Sequence, residues 1–194
     1  YKIRSLEERS RQGLRNLNKQ ELDKYFKGVQ ESRKLKKVID SDKASDTAKD
    51  IAQSKYNKIR EDNYKLLEQA SDRKLEQNLS EAEKKARQRG GEIRTYQTQD
   101  EYIEAVSGVS AKKVLNKETG EMEYTKEFME AARQHRYSDG RHIDGVSYIN
   151  LETARTLGSV AVGSHEVFHS ILDAYIKDEN GQVKDEMIEA IDDM

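Results

Sequence analysis

The stretch Ser164-His165-Glu166-Val167-Phe168-His169-Ser170 decides how this chain is read. On a helix, His165 and His169 stand four residues apart, one above the other on the same face. Two neutral imidazoles at that spacing can hold one Zn²⁺. Glu166, next to the first of them, can then reach a metal-bound water as general base. The flanks favour a helix, with Val160-Ala161-Val162 before the motif and Ile171-Leu172 after it. Val162, Phe168, Ile171 and Leu172 are expected to pack inward while the two histidines face a cleft. Histidine is otherwise confined to His135 and His142, so the pair is no by-product of a histidine-rich composition. The competing reading is two ordinary surface histidines with a glutamate between them.

A zinc site needs a third ligand. No histidine follows His169, which leaves Asp173, Glu179, Glu186, Glu189 and Asp192. Asp173 lies one turn beyond His169 on the same helix, too far along the axis to close one tetrahedron. Glu189 is better placed, in a second short helix expected over Lys184–Asp193. Asp178-Glu179-Asn180-Gly181 forms the turn before it.

With those residues in view, the chain resembles the gluzincin metallopeptidases, the thermolysin-like branch of the zincins. Their H-E-x-x-H is followed about twenty residues later by E-x-x-x-D. The resemblance implies Glu189 as third zinc ligand and Asp193 as the carboxylate that orients a zinc-bound imidazole. It also implies Glu166 as the catalytic base of peptide-bond hydrolysis. Ile188 stands where that branch often has Asn before the ligand Glu. Glu186, one turn before Glu189 on the same face, remains a rival for the third position. The resemblance covers roughly the last third of the chain.

Composition points to two different parts. Charged residues make up 37% of the 194 residues and hydrophobic ones 34%, against about 25% and about 45–50% in ordinary domains. Residues 1–90 carry 24 Lys and Arg against 16 Asp and Glu, whereas residues 91–194 carry 11 against 21. The break falls at Gly90-Gly91. The expected organisation is therefore a charged helical arm over 1–90 and a small zincin-like domain over 91–194. The fold class is α+β. Without cysteine there is no disulfide and no thiolate ligand, so a metal must use imidazole and carboxylate. No apolar run reaches membrane-spanning length, and no signal-like segment opens the chain. Tyr1 in place of an initiator Met, and an end one residue past Asp193, suggest a piece of a longer protein whose catalytic domain continues.

The arm has no proline, and only Gly13 and Gly28 interrupt it. Leu14, Leu17, Leu22, Tyr25, Phe26 and Val29 mark one amphipathic segment, closed by Leu35, Val38 and Ile39. Asp40-Ser41-Asp42 breaks it. Ala52, Tyr56, Ile59, Asn63, Leu66 and Ala70 then step by fours and threes as a weak heptad-like seam. Leu75, Leu79, Ala82 and Ala86 continue the stripe, and Ser80-Glu81-Ala82-Glu83 offers a capping box for a fresh helix. So narrow a stripe fits a helix lying against a partner or a second helix. Other protein subunits are thus the expected partners of the arm. Its basic clusters, Arg33, Lys34, Lys36, Lys37 and Lys84, Lys85, Arg87, Arg89, also admit nucleic acid, although no aromatic stacking platform accompanies them.

Beyond Gly91 the elements alternate. A strand is expected at Glu92–Tyr96, and a helix opened by the box Thr98-Gln99-Asp100-Glu101 and ending near Gly108. A hairpin joins Lys113–Leu115 to Met122–Tyr124 around Asn116–Gly120. Phe128, Met129 and Ala132 mark another helix, and Gly145–Asn150 reads as a strand just before the motif helix. In zincins an edge strand borders the cleft and pairs with the extended peptide substrate, a role expected of Val146–Ile149. His142 is expected in a polar surface turn, and Tyr148 and Tyr175 in packing roles. Small α+β zincin modules on long charged helices are similar to metallopeptidase segments of large phage virion proteins. That likeness implies a virion or host-cytoplasm location, and, as the alternative to catalysis, a structural or cargo role for the scaffold.

Overall fold

A computed structural model describes residues 2–168. His169, Asp173, Tyr175, Glu179, Glu186, Glu189, Asp192 and Asp193 lie outside the described residues. The architecture is α+β, a long N-terminal helical arm followed by a small sheet region. The chain divides into two compact units, Tyr1–Lys74 and Leu75–Met194.

The first unit holds α1 (Lys2–Arg15), α2 (Lys19–Ile39) and the start of α3 (Asp46–Gln88). The amphipathic run from Leu14 to Val29 is broken into two helices, contrary to the single segment expected. The cause is Asn18. Its side chain accepts from the Glu21 amide at 3.0 Å while Glu21 Oε2 accepts from the Asn18 amide at 2.9 Å, a reciprocal cap that starts α2 afresh. Glu21 also receives Arg73 of α3 at 2.8 Å. Arg9 of α1 reaches Glu68 at 2.8 Å and Asp72 at 3.1 Å.

Close approach within this unit is made at glycines. A Cβ on Gly13 would collide with the Leu67 carbonyl oxygen, and one on Gly28 would lie 2.6 Å from Asn63 Oδ1. Asn63, the polar residue in the expected seam, faces that narrow point and donates Nδ2 to the Tyr25 carbonyl at 3.4 Å. Ala52 and Ala70 of the seam are buried as its phase requires. Leu67, rather than Leu66, joins them.

α3 passes through Ser80–Glu83 without a break, so the capping box there starts nothing. Leu75, Leu79, Ala82 and Ala86 are all buried, and restarting the helix at Ser80 would rotate them off their face. Within the second unit, Leu75 and Leu79 pack with Ile149, Leu151, Ala154 and Val162. The helix ends at Gln88, and Gly90 just beyond it takes the left-handed conformation.

The second unit continues with β1 (Glu92–Tyr96), α4 (Gln99–Ser107), β2 (Lys113–Leu115), β3 (Met122–Tyr124), α5 (Lys126–His135), β4 (Gly140–Ile143), β5 (Val146–Asn150) and α6 (Leu151–Leu157). The Thr98–Glu101 box and the Gly108 stop bound α4 as expected, and β2 and β3 pair antiparallel as the expected hairpin. The larger sheet has the order β1-β5-β4, with β1 parallel to β5 and β4 antiparallel to it. Val146–Ile149 is therefore central, not the expected edge, and Gly140–Ile143 borders the sheet among the described residues. Asp144 (φ 48°) and Gly145 (φ 81°) form the two-residue turn between β4 and β5, the left-handed pair that a tight hairpin demands. One face of the sheet packs Ile93 and Ile149 onto α3, and the other packs Tyr96 and Tyr148 onto Tyr102, Ile103, Phe128 and Ala131.

His135, at the end of α5, is 6% exposed, and its Nδ1 accepts from Arg141 Nη1 at 3.3 Å. Burial, and then the Arg141 guanidinium, hold this imidazole below its usual range. The unfolded chain takes up this proton near pH 6.5 or so, whereas the folded chain resists it to a lower value. Stability is then full above that pH and falls as pH drops through it toward the lowered folded value. Thermal melts monitored by near-ultraviolet circular dichroism should show this loss as pH falls below about 6.5, and His135→Gln should flatten it. An unchanged slope in the variant would contradict the assignment.

Candidate functional site

Asn150, fully buried, links the sheet to the motif. Its amide donates to the Asp139 carbonyl at 2.9 Å, and its Oδ1 accepts from the Thr153 amide at 3.1 Å, capping α6. α6 was not foreseen, because only a strand was expected before the motif. It stops at Gly158 in the left-handed conformation, and the Val160 carbonyl that follows accepts from Asn78 Nδ2 of α3 at 2.7 Å.

The motif helix then starts at Val162 and is helical over 162–168. Val162 and Val167 are each 5% exposed, and Val167 packs with Ala82, Ala86 and Ile93. Phe168 is 55% exposed, contrary to expectation. The buried residues Val162, Gly163, Glu166 and Val167 define one face, and Phe168 lies opposite the middle of it. Gly163 permits the seating: a Cβ there would lie 2.8 Å from Leu79 Cδ2 and 3.1 Å from Ala82 Cβ.

His165 lies on the exposed face. Glu166 is 4% exposed, although carboxylates are seldom so deeply placed. Its carboxyl lies over β4, where a Cβ on Gly140 would fall 2.8 Å from Oε1 and 3.0 Å from Cδ. The Glu166 carbonyl accepts from Ser147 Oγ at 3.4 Å, and the same hydroxyl stands 3.0 Å from His142 Nδ1. His142 is therefore on edge strand β4, in register with Ser147, rather than in the surface turn expected. The missed signal was Asp144-Gly145, a dipeptide that marks a hairpin and makes the residues before it a strand. Tyr102, fully buried, bonds Ser138 Oγ at 2.9 Å. Burial pushes its phenol up, the Ser138 bond pulls the other way, and the Glu166 carboxylate adds to the rise.

Among the described residues no three His, Asp or Glu side chains gather into a metal-holding group. The structure thus places His165 and Glu166, whereas His169 and Glu189 lie outside the described residues. The donor set expected from the sequence, two imidazoles and a carboxylate, is one that zinc accepts, and His165 is exposed. Compared with protein-family models, with curated proteins and with solved structures, the chain finds no match. No helix among the described residues is long and apolar enough to cross a membrane.

Gly163→Ala tests the seating. Alanine adds about 1 kcal/mol of helix propensity, but overpacking costs about 1–3 kcal/mol. The nearest atom belongs to Leu79, itself buried and unable to swing away freely. Urea unfolding should show a net loss for the variant. A gain would mean the motif helix stands further from α3.

Proposed function

We propose that the chain carries a zinc-dependent peptidase centre, with Glu166 as general base and His165, His169 and Glu189 as the metal ligands. The observation that carries this reading is the pairing of an exposed His165 with a Glu166 carboxyl buried against the edge strand. The Glu166 carboxyl, set over β4 and one residue from His165, is placed for base work. Bound by those three side chains, zinc would polarise the scissile carbonyl and acidify a water in its open position. Glu166 would accept a proton from the attacking water and return it to the leaving amine. β4 has a strand partner on one side only among the described residues, so an extended peptide can add there by backbone pairing. The substrate class is accordingly a peptide or protein in extended conformation.

A second reading, a non-enzymatic component of a larger assembly such as a phage virion, has its own support. Phe26, Val38 and Ile51 of the helical unit are 51%, 39% and 54% exposed, as suits surfaces that other subunits cover. Nucleic-acid contact through the basic residues of 1–90 is weaker, because no aromatic stacking platform accompanies them in the sequence.

Glu166→Gln distinguishes these readings. A peptidase should lose peptide-cleaving turnover by about 100-fold or more, the scale of a lost general base, while retaining zinc. Assembly should be indifferent to the change. Undiminished turnover in the variant would remove Glu166 from the chemistry.

A further inference from the structure

α2 is 21 residues long and amphipathic, yet none of its residues is fully buried. Between it and α3, within the first unit, runs a groove of about 560 Å³. Its walls are the half-buried rings of Tyr25, Tyr56 and Tyr64 with Val29 and Leu67. Four cations line it, Arg33, Lys36, Lys37 and Arg60, and no carboxylate does so among the described residues. Lys36 is partly neutralised by Asp40 at 2.9 Å, and Arg60 lies over the Tyr56 ring at 5.6 Å. Arg33 and Lys37 are exposed and form no ion pair among the described residues. Ser32 also lines the groove, with its Oγ buried and without a hydrogen-bond partner.

We infer that this groove docks an acidic amphipathic helix of a partner protein. The stretch of α2 from Tyr25 to Lys37 is about 18 Å long, room for about three turns of helix. A third helix set between two others would cover the apolar face that α2 leaves half-open, with its Leu or Phe side chains on the tyrosine walls. Glu or Asp side chains on its flanks would meet Arg33 and Lys37, which form no ion pair among the described residues. A second copy of the same groove is a poor occupant, since it would bring the same four cations. Nucleic acid is also disfavoured: stacking needs open ring faces, and these tyrosines are built into the walls. The site belongs to the helical unit alone and does not depend on the peptidase reading.

The test uses the full chain and a fluorescein-labelled helical peptide of about 14 residues, four turns, with Leu along one face and Glu elsewhere. The same peptide with Lys in place of Glu, and a single-stranded oligothymidylate, serve as comparisons in fluorescence anisotropy. The acidic peptide should bind at least about tenfold more tightly than its Lys counterpart. Arg33→Glu with Lys37→Glu should weaken it by about tenfold or more, and the milder Arg33→Gln with Lys37→Gln by an intermediate amount, with helicity by circular dichroism unchanged. Equal affinity for the two peptides would overturn the proposal, as would unchanged affinity in both variants or tighter binding of the oligothymidylate.

Discussion

The second unit depends on one close contact, the seating of the motif helix against α3 at Gly163. A methyl group there would press on Leu79 and Ala82. Because Val162 and Val167 flank it on the same face, this contact fixes the rotation of the helix about its axis. Rotation in turn decides which of His165 and Glu166 meets solvent and which meets the sheet. Gly140 performs the matching service on the other side, since its missing side chain is the space that the Glu166 carboxyl occupies. Two glycines, one on a strand and one on a helix, thus determine where the carboxylate sits.

The helical unit follows a different logic. Its helices approach at Gly13 and Gly28, and its long-range ties are ion pairs such as Arg9 with Glu68 and Asp72. Partly buried pairs of this kind lose much of their Coulombic gain to desolvation, so the register of α1 and α2 on α3 rests mainly on the glycine contacts and the seam around Leu67. A unit held by so narrow a stripe has apolar surface left over, and Phe26, Val38 and Ile51 are where it shows.

Local chemistry was legible in the sequence wherever a cap or a turn announced itself. The Thr98–Glu101 box, the Gly108 stop, the β2–β3 hairpin and the Leu75–Ala86 stripe all fall where their residues place them. The Asn18–Glu21 box and the Asp144-Gly145 turn were equally readable, and overlooking them merged two helices and hid β4. The box at Ser80–Glu83 misled for the opposite reason. Cap chemistry inside an unbroken apolar stripe loses to the packing of Leu79, Ala82 and Ala86. Strand order is another matter. Whether Val146–Ile149 is central or edge depends on which strands join it from far along the chain, and no local pattern encodes that. The depth of Glu166 was hidden likewise, because it depends on Gly140, 26 positions earlier.

The central claim is that His165 belongs to a metal centre, and bound zinc per chain tests it most directly. Elemental analysis after gentle desalting should find about one zinc in the wild-type chain and none in His165→Ala, the result for a site that needs all three ligands. Equal zinc in both, or none in a folded wild type, would contradict the claim.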